Sequence, residues 1–274
     1  MRIMVPAAVA AIALSASAEA APVNLPAWQS TIKYSTTSTG ASGYGNYARA
    51  TSKVIYDAAA GTYVIRDTGS LTTTATFGPS NLVSSSGNFS TYGTATNSFR
   101  RLNQSPSNTL IALTYVDYGQ WRRTSTASGV TSVNDTYLVW GSRTPSANIP
   151  RSGGASYTTI VDGTFVNKDG AYAVAGSGTF NATFGTYNGS FTYSETATGT
   201  KEVGSGTITF GTMTGTGTIA YGPAMFTGTG TADAQGYRMD VVGNFYGPAA
   251  QEVGGLFRIT GNGGQGQGAV VGHQ

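Results

Sequence analysis

Two arginine doublets, Arg100-Arg101 and Arg122-Arg123, flank the aromatic run Tyr115-Val116-Asp117-Tyr118-Gly119-Gln120-Trp121. Guanidinium groups hold carboxylates through paired hydrogen bonds. Tyr, Trp and Arg are also the side chains that dominate protein interfaces. The set reads as a recognition surface, either for the carboxylates of a small ligand or for an acidic patch on a protein. The plainer alternative is solubility charge. Adjacent residues on a strand point to opposite faces, so each doublet offers one Arg to each face. Tyr115, Tyr118, Trp121, Arg100, Arg101, Arg122 and Arg123 are the candidate binding residues, and the contact region is expected between about 80 and 125.

Other chemistry is scarce. The chain has no Cys and one His, which excludes disulfides, thiolate metal sites and a Cys nucleophile and leaves a Ser-His-Asp triad without support. His273 is penultimate and is expected in a frayed tail. A tyrosine oxygen can hold heme iron, but 16 Tyr give no ground for choosing one, and no metal ligand is assigned. Ser30-Thr31-Ile32-Lys33 matches S-x-x-K without the partner motifs that would give it meaning. Gly261-Asn262-Gly263-Gly264-Gln265-Gly266 matches G-x-G-x-x-G with no room for a following helix and strand. An enzyme is not expected, and a net charge of +3 is too small to imply nucleic acid.

The elements that would position these residues are strands. Thr, Tyr and Phe are abundant, and Gly reaches 39 of 274 residues. Tyr172, Val174, Phe180, Ala182 and Phe184 share one parity against Ser177, Thr179, Asn181 and Thr183, the period of a half-buried strand. Tyr187-Asn188-Gly189 is a hairpin turn, after which Phe191 and Tyr193 resume the alternation. About eight such runs follow Pro150, the number at which a barrel is filled by its own side chains. Phe180, Phe184, Phe191, Tyr193, Phe210, Val241, Phe245, Phe257 and Ile259 are expected to point inward. The opposite face is Thr, Ser and Asn, unlike the apolar exterior of an outer-membrane barrel.

The first half is less regular. Residues 53–56 and 62–65 are strands around an Asp57–Gly61 turn, Thr109–Tyr118 and Thr136–Trp140 are apolar strands, and Asn81–Asn88 is a polar loop. Glycine is sparse here, with 11 residues before position 151 and 28 after it. Residues 21–150 are basic and the remainder acidic, and Pro145 and Pro150 break the chain between them. Residues 1–20 read as an export signal: Arg2, an apolar stretch from Val5 to Leu14, and Ala18-Glu19-Ala20 at the cleavage point. No later stretch approaches a transmembrane span.

Gly243-Asn244-Phe245-Tyr246-Gly247-Pro248-Ala249-Ala250-Gln251-Glu252-Val253-Gly254-Gly255-Leu256-Phe257 resembles the G-x-FYGP-x-A-x-E-x-GG-x-F signature of the transferrin-binding protein B-like barrel. Tyr115–Trp121 followed by Tyr137-Leu138-Val139-Trp140-Gly141 is similar to the handle domain that precedes that barrel. The resemblance implies an all-β chain: a signal peptide over 1–20, an antiparallel handle-like domain over 21–147, and a closed, roughly eight-stranded barrel over 148–274. It implies a secreted or surface-associated bacterial binding protein that captures an iron source, either heme or an iron-carrier protein. An outer-membrane receptor or translocator would be a further partner, and heme is the one cofactor-like ligand in view. There is no Cys to carry a lipid, so the expected destinations are the medium, the outer cell surface or the periplasm. The contrasting reading is a structural or adhesive β-protein with no small ligand. The signature itself reads as structural, with Gly254-Gly255 allowing close packing of the final hairpin.

Overall fold

In the computed structural model, residues 22–37, 40–42, 48–66, 74–104 and 106–274 are described, and the export segment lies outside them. Among the described residues the chain forms strands and three short 3-10 turns but no α-helix. No described helix is long and apolar enough to cross a membrane.

Ten strands make the first sheet: β1 (Val23–Thr37), β2 (Gly40–Ser42), β3 (Ala48–Asp57), β4 (Thr62–Arg66), β5 (Thr74–Phe77), β6 (Leu82–Ser86), β7 (Phe89–Gly93), β8 (Asn97–Leu102), β9 (Val116–Ala127) and β10 (Val130–Gly141). Their order is β5-β4-β3-β1-β10-β9-β8-β7-β6, with β2 paired to β1. The sheet curls until Phe77 of β5 meets Phe99 of β8, ring centroids 5.3 Å apart. Its inner face buries Ala27, Val54, Ile65, Phe99, Trp121, Leu138 and Trp140 as one core.

This handle is larger and more regular than its sequence reads. Asn81–Asn88, expected as a loop, contains β6, whose Ser84 and Ser85 side chains are exposed on a sheet edge and so need no apolar pattern. Thr109–Tyr118, expected as a strand, stays irregular until Val116, because Ile111 and Leu113 are buried from a loop. His273 is not a frayed tail: it ends a strand and pairs with Glu252 and Thr158.

After a linker containing Pro145, Pro150 and a 3-10 turn (Ser146–Asn148), eight antiparallel strands close a barrel. They are β11 (Gly154–Asn167), β12 (Gly170–Thr183), β13 (Gly189–Lys201), β14 (Thr207–Ala220), β15 (Met225–Ala232), β16 (Tyr237–Tyr246), β17 (Glu252–Gly261) and β18 (Gly264–His273). β18 pairs back on β11, Val270 opposite Val161, which leaves no open edge. All nine side chains expected to point inward belong to one buried cluster. Phe180 stacks on Phe191 at 4.4 Å, and Phe245 packs against Tyr157, Phe180, Phe184 and Phe226.

The Thr-Gly alternation of β14 and β15 follows from this filling. Thr214, Thr216 and Thr218 face solvent, while a Cβ added to inward Gly215 would come within 2.5 Å of the Tyr193 ring, and one on Gly228 within 2.6 Å of the Phe191 ring. The barrel is packed with rings that only glycine can sit beneath. Phe245→Ala should cost roughly 3–5 kcal/mol through the cavity it leaves, read as a lowered urea midpoint; an unchanged midpoint would show that the ring is not part of the core.

One carboxyl group shares this interior. Glu195 is 1% exposed and accepts from Thr159 Oγ1 at 2.5 Å, while its Oε2 has no hydrogen-bond partner. Burial pushes its pKa up to about 7. The folded chain therefore keeps this proton to higher pH than the unfolded chain does. The group costs nothing under acid conditions, and it weakens folding progressively as pH rises from the ordinary carboxyl range to about 7. Glu195→Gln should stabilise the protein at pH 8 by up to about 3 kcal/mol and change little at pH 4. Denaturation midpoints across pH test this, and an equal effect at both ends would refute the titration.

Candidate functional site

Strand alternation gives the handle sheet two faces. On β8 and β9 it aims Arg100, Leu102, Tyr118 and Arg122 at the barrel, and Phe99, Arg101, Trp121 and Arg123 into the curl of the handle. Each doublet is split as strand geometry requires. The barrel presents the outward residues of β11, β16, β17 and β18 to this sheet.

The two faces meet over an apolar seam in which Trp28, Leu102, Tyr118, Tyr137 and Val139 pack on Val242, Tyr246, Leu256, Ala269 and Val271. Polar pairs ring it. Arg100 Nη2 donates to both Asp162 oxygens at 2.7 and 2.8 Å, and Tyr118 OH donates to Asp162 at 3.1 Å. Arg122 bridges Asp135 of its own sheet and Glu202 of the β13–β14 turn, each at 2.6 Å. Tyr34 OH lies 3.2 and 3.1 Å from the same two carboxylates and shares its one proton between them. Burial, then Asp135 and Glu202, push the Tyr34 phenol far up, so it remains a donor. Burial and Asp162 do the same at Tyr118.

The family-like signature lies on this seam. Its alternate residues Phe245, Val253 and Phe257 fill the barrel, while Asn244, Tyr246, Glu252 and Leu256 face the handle. Asn244 Oδ1 accepts from Trp28 Nε1 at 2.6 Å. Glu252 accepts three backbone N–H bonds, from Thr114, Tyr115 and Val116, at 2.6 to 2.8 Å. A Cβ on Gly254 would come within 2.6 Å of Val116 Cγ2, so glycine lets the handle approach. None of this was visible as a contact from sequence, because the partners lie up to 216 residues apart.

Of the candidate binding residues, Arg100, Tyr118 and Arg122 are thus joined to the barrel. Trp121 is buried in the handle, its Nε1 donating to Asn97 Oδ1 at 2.7 Å, and Arg123 lies 4.1 Å over its ring. Arg101 and Tyr115 come together elsewhere, in a cleft of about 310 Å³ at the mouth of the curled handle. Tyr56, Tyr63, Asp117 and Trp140 line it with them. Tyr56 and Tyr63 face each other across the β3–β4 hairpin and stack at 4.8 Å. Arg101 Nε donates to Asp117 Oδ2 at 2.6 Å, and its guanidinium lies 5.1 Å over Tyr63. Burial pushes the Asp117 carboxyl up to about 6 against the pull of Arg101. The hairpin signal could have found Tyr56 and Tyr63, since they flank the Asp57–Gly61 turn as a cross-strand pair. Among the described residues no group of three or more His, Asp or Glu is placed to hold a metal ion.

A curled handle sheet clamped against a closed eight-stranded barrel defines a handle-plus-barrel lobe. Comparison with solved structures places it: the chain has the fold of a transferrin-binding protein B lobe. A single-site variant of transferrin-binding protein B from Haemophilus parasuis superposes with TM-score 0.50 at 20% identity, covering 90% of this chain and 45% of that one. Intact transferrin-binding protein B with its N and C lobes gives 0.50 at 19%, covering 89% and 46%. The Neisseria meningitidis isotype 1 protein gives 0.49 at 16%, covering 89% and 43%. The chain spans about half the length of these structures. No family model matches the sequence, and no curated protein matches it.

The Glu252 clamp sets the joint between handle and barrel. Glu252→Ala strands three partly or fully buried N–H groups and should cost roughly 3–5 kcal/mol. All three tryptophans, Trp28, Trp121 and Trp140, sit in the handle, so their fluorescence reports handle unfolding. In Glu252→Ala that transition should fall to lower urea than the far-UV transition carried mainly by the barrel. Coincident, unshifted transitions would show the clamp is dispensable.

Proposed function

We propose that this chain is an exported bacterial binding protein that captures an iron source, either heme or an iron-carrier protein, through the handle side of the lobe. The observation that carries the reading is the handle-plus-barrel architecture, shared with a protein whose name states that it binds transferrin. The region between about 80 and 125 remains the proposed contact region, with its residues in revised roles. Arg100, Tyr118 and Arg122 brace the handle from behind. Val83 and Leu110, 65% and 46% exposed, and Leu82 are its outward apolar side chains. Exposed apolar side chains on an edge strand (Leu82, Val83) and on a loop (Leu110) of a rigid sheet are the usual material of a protein contact. The final location is proposed as the outer surface or the medium.

The test is direct. Mature protein is immobilised and exposed to transferrin and lactoferrin, each with and without iron, and titrated separately with hemin while the Soret band is followed. Saturable capture of one carrier, or a Soret shift at one equivalent, is expected. Val83→Asp and Leu110→Asp should weaken carrier capture by tenfold or more, about 1.4 kcal/mol, without altering the urea midpoint. Failure to bind either carrier or hemin would overturn the reading.

A further inference from the structure

The handle cleft has a composition that capture of a carrier protein does not require. Three tyrosines and Trp140 wall it, and one cation and one anion, Arg101 and Asp117, form its floor at 2.6 Å. With its amide oriented to satisfy both neighbours, Gln104 accepts from Arg101 Nη2 at 3.1 Å and donates to the Leu113 carbonyl. Asp117 Oδ1 accepts from the Tyr118 N–H at 2.8 Å. The floor is thereby held rigidly in place.

A purely structural role would be served as well by apolar side chains, since desolvation offsets most of what a buried ion pair contributes. This pair instead lines the floor of an open cleft, with the Arg101 side chain 15% and the Asp117 side chain 11% exposed. Its charges cancel, so neither a simple anion nor a simple cation gains from the site. A molecule carrying both charges on neighbouring atoms complements it, and the aromatic walls favour a flat apolar remainder. The volume of about 310 Å³ lies at the small end of ligand pockets.

We propose that this cleft binds a small flat zwitterion of the aromatic α-amino acid class, its ring against Tyr56 and Tyr115 and its charged end on Arg101 and Asp117. The site is distinct from the outward loops invoked for carrier capture, and neither reading depends on the other.

The experiment is saturation-transfer NMR with calorimetry on the mature chain, using tryptophan, tyrosine and phenylalanine as probes. Glycine supplies the charged end alone and indole the ring alone. The aromatic amino acids should bind in a 1:1 ratio, with glycine and indole at least roughly tenfold weaker. Tyr56→Ala removes a half-buried wall, and Thr114→Trp fills the mouth from an exposed position. Each should reduce affinity tenfold or more while the tryptophan-fluorescence unfolding transition stays in place. Should Tyr56→Ala fail to fold, Thr114→Trp alone decides. Absence of binding by all three amino acids, indole binding as tightly as tryptophan, or full affinity in Thr114→Trp would each overturn the proposal.

Discussion

A carboxylate taken out of water must be met by hydrogen bonds or give up its charge. Glu252, 4% exposed, is met by three backbone N–H groups from the segment entering β9. That requirement runs both ways. Thr114, Tyr115 and Val116 have left their loop but not yet joined a sheet over their whole length, and their donors need an acceptor too. One side chain of the barrel thus completes the backbone bonding of the handle. The clamp also fixes where β9 begins, and with it the register that sends Tyr118 and Arg122 to the barrel and Asp117 and Trp121 away from it.

The rest of the seam depends on that register. A slip of one residue would reverse every side chain on β9, removing Arg122 from Asp135 and Glu202 and burying Asp117 against the barrel. The ion pairs are therefore better understood as enforcing a register than as a reservoir of stability. The bidentate Arg122–Asp135 pair, Nε to Oδ1 and Nη2 to Oδ2, is directional and tolerates little displacement. Asn244 with Trp28 and Thr144 with Gly247 tie down two further points. The glycine at 254 belongs to the same logic, since closeness of the two bodies is what lets short polar bonds form.

Much of the barrel was legible because its physics is local. Period-two alternation over eight runs specifies which side chains enter the interior, and a small barrel has no other place to put Phe and Tyr. Glu195 shares inward parity with Phe191, Tyr193 and Ala197, so parity alone could have singled it out. The handle was harder to read because its strands are decided by partners rather than by pattern. β6 is a Ser-rich edge, and buried Ile111 and Leu113 mimic a strand while packing from a loop. The signature stood out as a string, but its meaning as a docking face needed the far residues Trp28 and Val116. The arginine doublets were legible to the level of one Arg per face. Which face met Asp162, and which opened on a cleft, was set by contacts 62 and 16 residues away.

The same division separates the residues that hold the lobe together from those free to change. Side chains that hold the seam cannot change without loosening the lobe, and those inside the barrel are constrained by close packing around Phe180, Phe191 and Phe245. What remains free is the mouth of the handle and its outer loops, carried on a sheet whose back is pinned by Glu252. A rigid support lowers the ordering cost of any contact made there. Under the proposed binding role, exposed positions such as Val83 and Leu110 can vary, while the half-buried Arg100 and Arg122 behind them keep the sheet in one conformation. The residues that look most like binding chemistry in the sequence are in large part those that make such a surface possible.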